Sequence, residues 1–334
     1  MLVSKRPSFD PGEAEALALE HYAIRAQAKE LPSERDQNFR LTTEGGKQFV
    51  LKLSHPDEPK DVLDFQAQAL KLLAAPYYPN IYSDKTGKPL LAVPGKQGVN
   101  HLVRMLSYLP GTPIAECEHP SPALLNEVGR TISEMDRMLS SFTHPAMNRH
   151  LPWDSRHALE TVRDNLSYIL ASEKRTFIEH FLTLFECHAV PLFPALRQSV
   201  IHNDVNDYNL LVDGDRVTGI IDFGDMVHTY TVCDLANACA YLMMDKPNPL
   251  EIICYVAEGY QSVYPLELPE LNALLDFIYL RLCLSVSMSA KQRAQNPDND
   301  YLSISERPAW DLLETLSQTP IAQLREHLST ALSN

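Results

Sequence analysis

The chain changes its pattern of apolar and polar positions partway along its length. Asp10-Pro11-Gly12-Glu13 supplies a cap residue, a first-turn proline and a glutamate, which predicts a helix over about 10–22. From residue 25 the apolar positions recur in short runs, and three strands are expected at 25–31, 38–43 and 48–54. Ser33-Glu34-Arg35-Asp36 and Glu44-Gly45-Gly46-Lys47 read as the turns between them. The second of these is a Gly-Gly hairpin turn and not a phosphate loop, because the first glycine of that motif is missing. A helix over 59–74 carries Val62, Phe65, Ala69, Leu72 and Leu73 near one stripe. Short apolar segments follow at 80–82, 90–93 and 101–109, and the last runs into the breaker Pro110-Gly111-Thr112-Pro113.

Beyond the breaker the pattern is helical. Over 121–142, Leu124, Leu125, Val128, Ile132, Met135, Leu139 and Phe142 recur at core spacing. Further helices are expected at 153–171, 173–189, 231–244, 248–262, 267–292, 305–315 and 320–332. The division falls into an N-terminal lobe, 1–107, and a C-terminal lobe, 108–334.

One stretch inside the helical half breaks this pattern and carries the chemistry. His202-Asn203-Asp204-Val205-Asn206-Asp207-Tyr208-Asn209 is followed by an apolar run, Asp213-Gly214, a second alternating run, and Ile221-Asp222-Phe223-Gly224-Asp225. The Asp-Gly signal predicts a β-hairpin that turns Asn209 and Asp222 toward one space. Phosphoryl transfer needs such a set: a carboxylate (Asp204) to take the proton of the attacking hydroxyl, and oxygen donors (Asn209, Asp222) to hold Mg²⁺ against nucleotide phosphates. A purely structural hairpin is the bland reading, but both motifs in this order around one hairpin are hard to obtain by chance. Lys52, between apolar neighbours on the third strand, could reach nucleotide phosphates. A carboxylate to brace it would sit on the 59–74 helix, where Asp64 and Gln66 are the candidates. Asp234, near the start of the 231–244 helix, can cap that helix and brace the catalytic loop.

Composition narrows the classes without changing this reading. The 334 residues are 45% hydrophobic and 22% charged, ordinary globular material long enough for two lobes. A net charge of −14 disfavours nucleic acid and anionic membrane as partners and is compatible with a cationic substrate. No signal-peptide pattern and no membrane-spanning run is expected. The six cysteines lack Cys-x-x-Cys spacing and read as reduced core residues of a cytoplasmic protein.

Through these residues the chain resembles the aminoglycoside phosphotransferase/choline kinase-like small-molecule kinases. Within them it is similar to hydroxylysine kinase and to kinase domains fused to class III aminotransferases. The carriers are Leu31-Pro32-Ser33-Glu34-Arg35-Asp36-Gln37-Asn38-Phe39, Val50-Leu51-Lys52-Leu53, Tyr108-Leu109-Pro110-Gly111-Thr112-Pro113-Ile114, the two catalytic motifs, and Pro297-Asp298-Asn299-Asp300-Tyr301-Leu302. The resemblance implies an α+β, two-lobed, protein-kinase-like fold with a five-stranded antiparallel N-lobe and a mainly helical C-lobe. It implies Asp204 as base, Asn209 and Asp222 as Mg²⁺ ligands, and His202 and Asp234 as supports of the catalytic loop. The nucleotide, ATP or GTP, would meet Lys52, Ser33, Asp36 and Asn38, with Leu106 and Tyr108 lining the base pocket. The substrate would be a small hydroxylated amine, most simply a hydroxylated amino acid such as hydroxylysine. Homoserine, choline or ethanolamine, or an aminoglycoside are alternatives, and a catalytically silent kinase-fold binding protein is a reading from another class. Candidate substrate residues are Asp207, Asp225, Asp300 and Glu306. Arg281, alone in an apolar helix, would grip either a substrate carboxylate or an internal acid. A functional link to an aminotransferase is also implied.

Overall fold

The computed structural model describes residues 6–33, 35–295 and 305–332. The chain divides into two compact units. One is residues 1–110 with His144–Ala146; the other is Gly111–Thr143 with 147–334.

The first unit is built on an antiparallel sheet. Its strands are β1 (Gln27–Leu31), β2 (Gln37–Thr42), β3 (Gln48–Leu53), β4 (Ile81–Tyr82), β5 (Leu91–Pro94) and β6 (Asn100–Ser107). The order is β1-β2-β3-β6-β4, with β5 also on β6. Six strands therefore stand where five were expected, yet the sheet is five strands wide. β4 pairs with Leu106 and Met105 while β5 pairs with 100–103, so two short strands share one edge of β6 end to end. Strict alternation in β2 and β3 sends Phe39, Leu41, Phe49, Leu51 and Leu53 to one face. There they bury against Ala14 and Ala18 of α1 (Pro11–Tyr22), whose N-terminus carries the expected capping box between Asp10 and Glu13. The other face presents Asn38, Lys52 and Arg104, aligned directly across β2, β3 and β6. Helix α2 (Lys60–Leu72) buries Val62, Leu63, Phe65 and Gln66.

The second unit is mainly helical. Its longest helix, α8 (Leu268–Gln295), is long and apolar enough to cross a membrane by length and composition alone, and its apolar stretch is wholly buried in the protein. No run of this kind was expected from the sequence; it reflects a helix surrounded by others, which needs no polar face. Around it lie α4 (Ala158–Asn165), α5 (Ser172–His188), α6 (Val232–Leu242) and α9 (Glu306–Ser317). Helices α3 (Pro122–Leu139) and α7 (Pro249–Gln261) cross almost backbone to backbone. A Cβ on Gly129 would lie 1.8 Å from the Val256 carbonyl oxygen, and one on Gly259 1.9 Å from that of Asn126. The helix expected over 153–171 is cut to α4 and one 3₁₀ turn, Leu166–Tyr168. The residues before it form turns around Asp154, which accepts from the Arg156 N–H (2.9 Å) and the Thr229 hydroxyl (2.7 Å).

Small strands missed by periodicity position the loops of this unit. The hairpin β9 (Leu210–Asp213) and β10 (Arg216–Ile220) gains β7 (Thr112–Pro113) on its outer edge. Separately, β8 (Gln198–Ile201) pairs with β11 (Val227–Tyr230). Runs of two to four residues are too short for their period to be read.

Candidate active site

The two motifs lie at the ends of these small sheets. β8 delivers the chain into His202–Asn209, and β9–β10 return it to Asp222. The hairpin closes where the Ile221 N–H donates to the Asn209 carbonyl at 3.0 Å, so Asp222 follows directly beside Asn209. His202 ties the same two segments: its Nδ1 accepts from the Asp204 N–H (3.2 Å) and its Nε2 donates to the Ile221 carbonyl (3.0 Å). That pairing requires the neutral ring with its proton on Nε2. Complete burial favours this form and pushes the His202 pKa down.

The loop turns through Asn203 at φ 67°, a left-handed conformation that few residue types other than glycine tolerate. Its geometry is held from α6. Asp234 accepts from the His202 N–H (2.8 Å) and the Asn203 N–H (2.6 Å), and Asn237 Nδ2 donates to the Asn203 carbonyl (2.9 Å). Asp222 is also left-handed, at φ 62°. Two strained turns in one site are a mark of function imposed on the backbone.

Asp204 stands at the centre. Asn209 Nδ2 donates to its carbonyl (2.8 Å) and to its Oδ2 (2.9 Å), and Asn206 Nδ2 donates to its Oδ1 (3.1 Å). Arg281 Nη2 approaches Oδ1 at 3.4 Å. Arg281 is 2% exposed, lies over the rings of Trp153 and Tyr241, and donates to the Trp153 carbonyl (3.2 Å) and the Tyr241 hydroxyl (3.3 Å). Of the two partners open to Arg281 from sequence, the structure supplies an internal acid, and that acid is Asp204. Burial pushes the Asp204 pKa up to about 7; Arg281 opposes the rise, and Asp225 and Asp222 add to it.

Asn209 spends its amide hydrogens on Asp204, which leaves its Oδ1 facing away as an oxygen donor. Asp225 and Asp222 raise the proton affinity of Asp204, and Asp222 raises that of Asp225, a concentration of negative charge that a cation would relieve. The residues thus fit Mg²⁺. Among the described residues no group of three or more His, Cys, Asp or Glu side chains forms a closed metal site. A nucleotide-borne Mg²⁺ needs only one or two protein oxygens, since waters and phosphates complete its shell.

In the first unit, Arg6 donates to the Ser33 carbonyl (2.8 Å), and Asp36 Oδ1 accepts from the His55 N–H (2.9 Å), fixing the turn before β2. Asn38 sits beside Lys52 with its Oδ1 buried. Leu106 pairs with Val50, and the Arg40 guanidinium lies 5.8 Å from the Tyr108 ring centre. Gln66 accepts from Arg104, while Asp64 accepts from Gln68 (2.6 Å) and meets His144 Nε2 at 3.3 Å. In the second unit, Asp207 and Asp225 both have raised pKa values, chiefly through burial; that of Asp207 reaches about 6. Glu306 is taken by Arg293, and Asp300 lies outside the described residues.

Six further contributors were not singled out from the sequence. Asn206 Oδ1 accepts from the N–H groups of Tyr208 (2.9 Å) and Asn209 (3.0 Å), an Asx turn that the run Asn-Asp-Tyr-Asn signals. Arg149 donates to the Gly224 carbonyl at 3.0 Å. Trp153 and Tyr241 enclose Arg281. Behind the loop, buried Asp136 of α3 hydrogen-bonds Asp234 and accepts from the Tyr260 hydroxyl at 2.7 Å. Two adjacent carboxyls share one site only if one keeps its proton, and burial with the Asp234 charge pushes Asp136 well up.

Residues 27–266 match the family described as "Phosphotransferase enzyme family". A hydroxylysine kinase of Mus musculus is 29% identical over 342 residues, covering 94% of this chain and 90% of that protein. Among solved structures, an aminopropanol kinase associated with a microcompartment superposes with TM-score 0.71 at 21% identity, covering 92% of this chain and 98% of the other. An amicoumacin kinase in complex with AMP-PNP, Ca²⁺ and Ami gives TM-score 0.70 at 16% identity, covering 94% and 95%.

Proposed function

The chain belongs to the phosphotransferase enzyme family as a small-molecule phosphotransferase with an alcohol group as acceptor, and from that membership we propose that it transfers the γ-phosphate of ATP or GTP, with Mg²⁺, to the hydroxyl of a small hydroxylated amino acid such as hydroxylysine. The observation that carries this reading is the hydrogen-bonded pair Asp204–Asn209 beside Asp222. Asp204 orients the acceptor hydroxyl and takes its proton. Asn206, Asn209 and Arg281 fix its carboxylate, so little reorganisation accompanies the transfer. Asn209 Oδ1 and the Asp222 carboxylate would hold Mg²⁺, which when bound spreads the phosphate charge. Lys52 is proposed as a phosphate ligand, Ser33, Asp36 and Asn38 as the turn that covers the phosphates, and Leu106 and Tyr108 as base contacts. Asp207 and Asp225 are proposed to meet the substrate amine. A cytoplasmic location, which six free cysteines support, belongs to the same reading.

A second reading, an amino alcohol such as ethanolamine, is favoured by one observation: Arg281 is already engaged and offers no grip for a substrate carboxylate. Nucleoside diphosphate release against hydroxylysine, homoserine, ethanolamine, choline and an aminoglycoside, with ATP and GTP in parallel, separates the readings. Fastest turnover on hydroxylysine supports the first; fastest turnover on ethanolamine or choline overturns it.

A further inference from the structure

If Arg281 serves the base, an amino acid substrate needs another partner for its carboxylate. The second unit holds a cavity of about 170 Å³ whose wall includes Asp207 and Tyr208 of the catalytic loop, Tyr241 of α6, and Asp245 and Lys246 just beyond α6. It adjoins the reacting centre through two of these residues. Asp207 lies three positions after Asp204, and the Tyr241 hydroxyl shares Arg281 with it. At about 30 Å³ per water-sized group, the cavity has room for roughly five or six such groups. That is the size of an α-ammonium and carboxylate on one carbon.

Lys246 is fixed there. Its Nζ donates to the carbonyls of Cys117 (3.0 Å) and Glu118 (3.1 Å), and among the described residues its third hydrogen has no acceptor. The chain is turned toward these carbonyls by Asp245, which adopts φ 56°. No ion pair joins Lys246 to an acid among the described residues, yet its charge is felt at Asp207, where it opposes the rise caused by burial while Asp245 adds to that rise. One small cavity is thus walled by a held cation and by two carboxylates that do not neutralise it. A neutral sugar would pair none of these groups, and a simple amine would give the half-buried lysine no partner. A zwitterion satisfies both signs.

We propose that this cavity receives the α-amino carboxylate end of a hydroxylated amino acid, with Lys246 binding the carboxylate and Asp207 and Asp245 the ammonium. Lys246 is then the residue that separates amino acid from amino alcohol substrates. The inference rests on the hydroxylated amino acid reading above.

The test compares hydroxylysine with its decarboxylated counterpart, 1,5-diaminopentan-2-ol, in the full-length wild-type enzyme and in Lys246→Met and Lys246→Arg. The expected result is that Lys246→Met lowers the ratio of kcat/KM for the amino acid over the diamino alcohol by about 10- to 100-fold, the range of a lost charge-assisted hydrogen bond. The loss falls mainly on KM, and Lys246→Arg recovers part of the ratio. The ratio is insensitive to a fraction of misfolded enzyme. An unchanged ratio in Lys246→Met, with hydroxylysine still phosphorylated, overturns the inference and leaves the kinase reading standing. Calorimetric titration with hydroxylysine covers the other failure: wild-type enzyme that neither binds nor phosphorylates it removes the substrate reading and the inference together.

Discussion

Arg281 Nη2 lies 3.4 Å from Asp204 Oδ1, so the carboxylate placed to receive the acceptor's proton is in contact with a buried cation. The arginine is held by two rings, a carbonyl and a phenol, and it has no freedom to follow a substrate. Arg281→Met is therefore expected to lower kcat by about 10²-fold or more on amino acids and amino alcohols alike, with nucleotide KM little changed. It should also cost roughly 2–4 kcal/mol of stability, less than a fully buried pair because the Asp204 side chain is 27% exposed. A loss confined to carboxylate-bearing substrates would show that Arg281 serves the substrate.

The Asp136–Asp234 pair predicts a pH-dependent stability. Asp136 keeps its proton in the folded protein and loses it in the unfolded chain above about pH 4. At this site the folded state then binds more protons than the unfolded one, so the contribution of Asp136 to wild-type stability falls as pH rises above about 4, by up to about 1.4 kcal/mol per unit. The amide introduced by Asp136→Asn would keep both hydrogen bonds, donating to Asp234 and accepting from Tyr260, without a proton to lose. Melting curves at pH 5 and pH 8 should show the difference in Tm, Asp136→Asn minus wild type, growing toward the variant at the higher pH. A constant difference would mean that Asp136 is ionised in the fold.

The α3–α7 crossing makes a prediction about folding alone. A methyl on Gly259 meets the Asn126 backbone at 1.9 Å, and backbone cannot swing aside as a side chain can. Gly259→Ala should lower stability by about 3 kcal/mol or more, read as a fall in the denaturation midpoint. A loss under about 1 kcal/mol would mean that the helices can part at little cost.

The parts of this protein that were legible in its sequence are those with a period or a motif. Alternation exposed β2 and β3 and so put Lys52 on the face opposite the core, and the Asp-Gly hairpin brought Asn209 to Asp222. Arg281 stood out as an arginine in an apolar helix, but which acid met it depended on contacts 77 residues apart in the chain. Asp136, Tyr260 and Lys246 gave no signal, because an aspartate, a tyrosine or a lysine at a helix position or in a loop looks the same whether it is solvated or enclosed. The strands β7, β8 and β11 were hidden by brevity.

The central claim is that Asp204 is the base of a phosphoryl transfer to a small hydroxylated amino acid, and single-turnover formation of phosphorylated hydroxylysine by wild type and Asp204→Asn tests it most directly. Asparagine keeps the shape and, through its single oxygen, one of the two contacts from Asn209 and Asn206, but it cannot take a proton. The expected result is phosphorylated product from the wild-type enzyme, and nucleotide binding within about threefold of wild type in Asp204→Asn, with product formation reduced by about 10³-fold or more. Product formed by Asp204→Asn at a rate near that of the wild type would contradict the assignment.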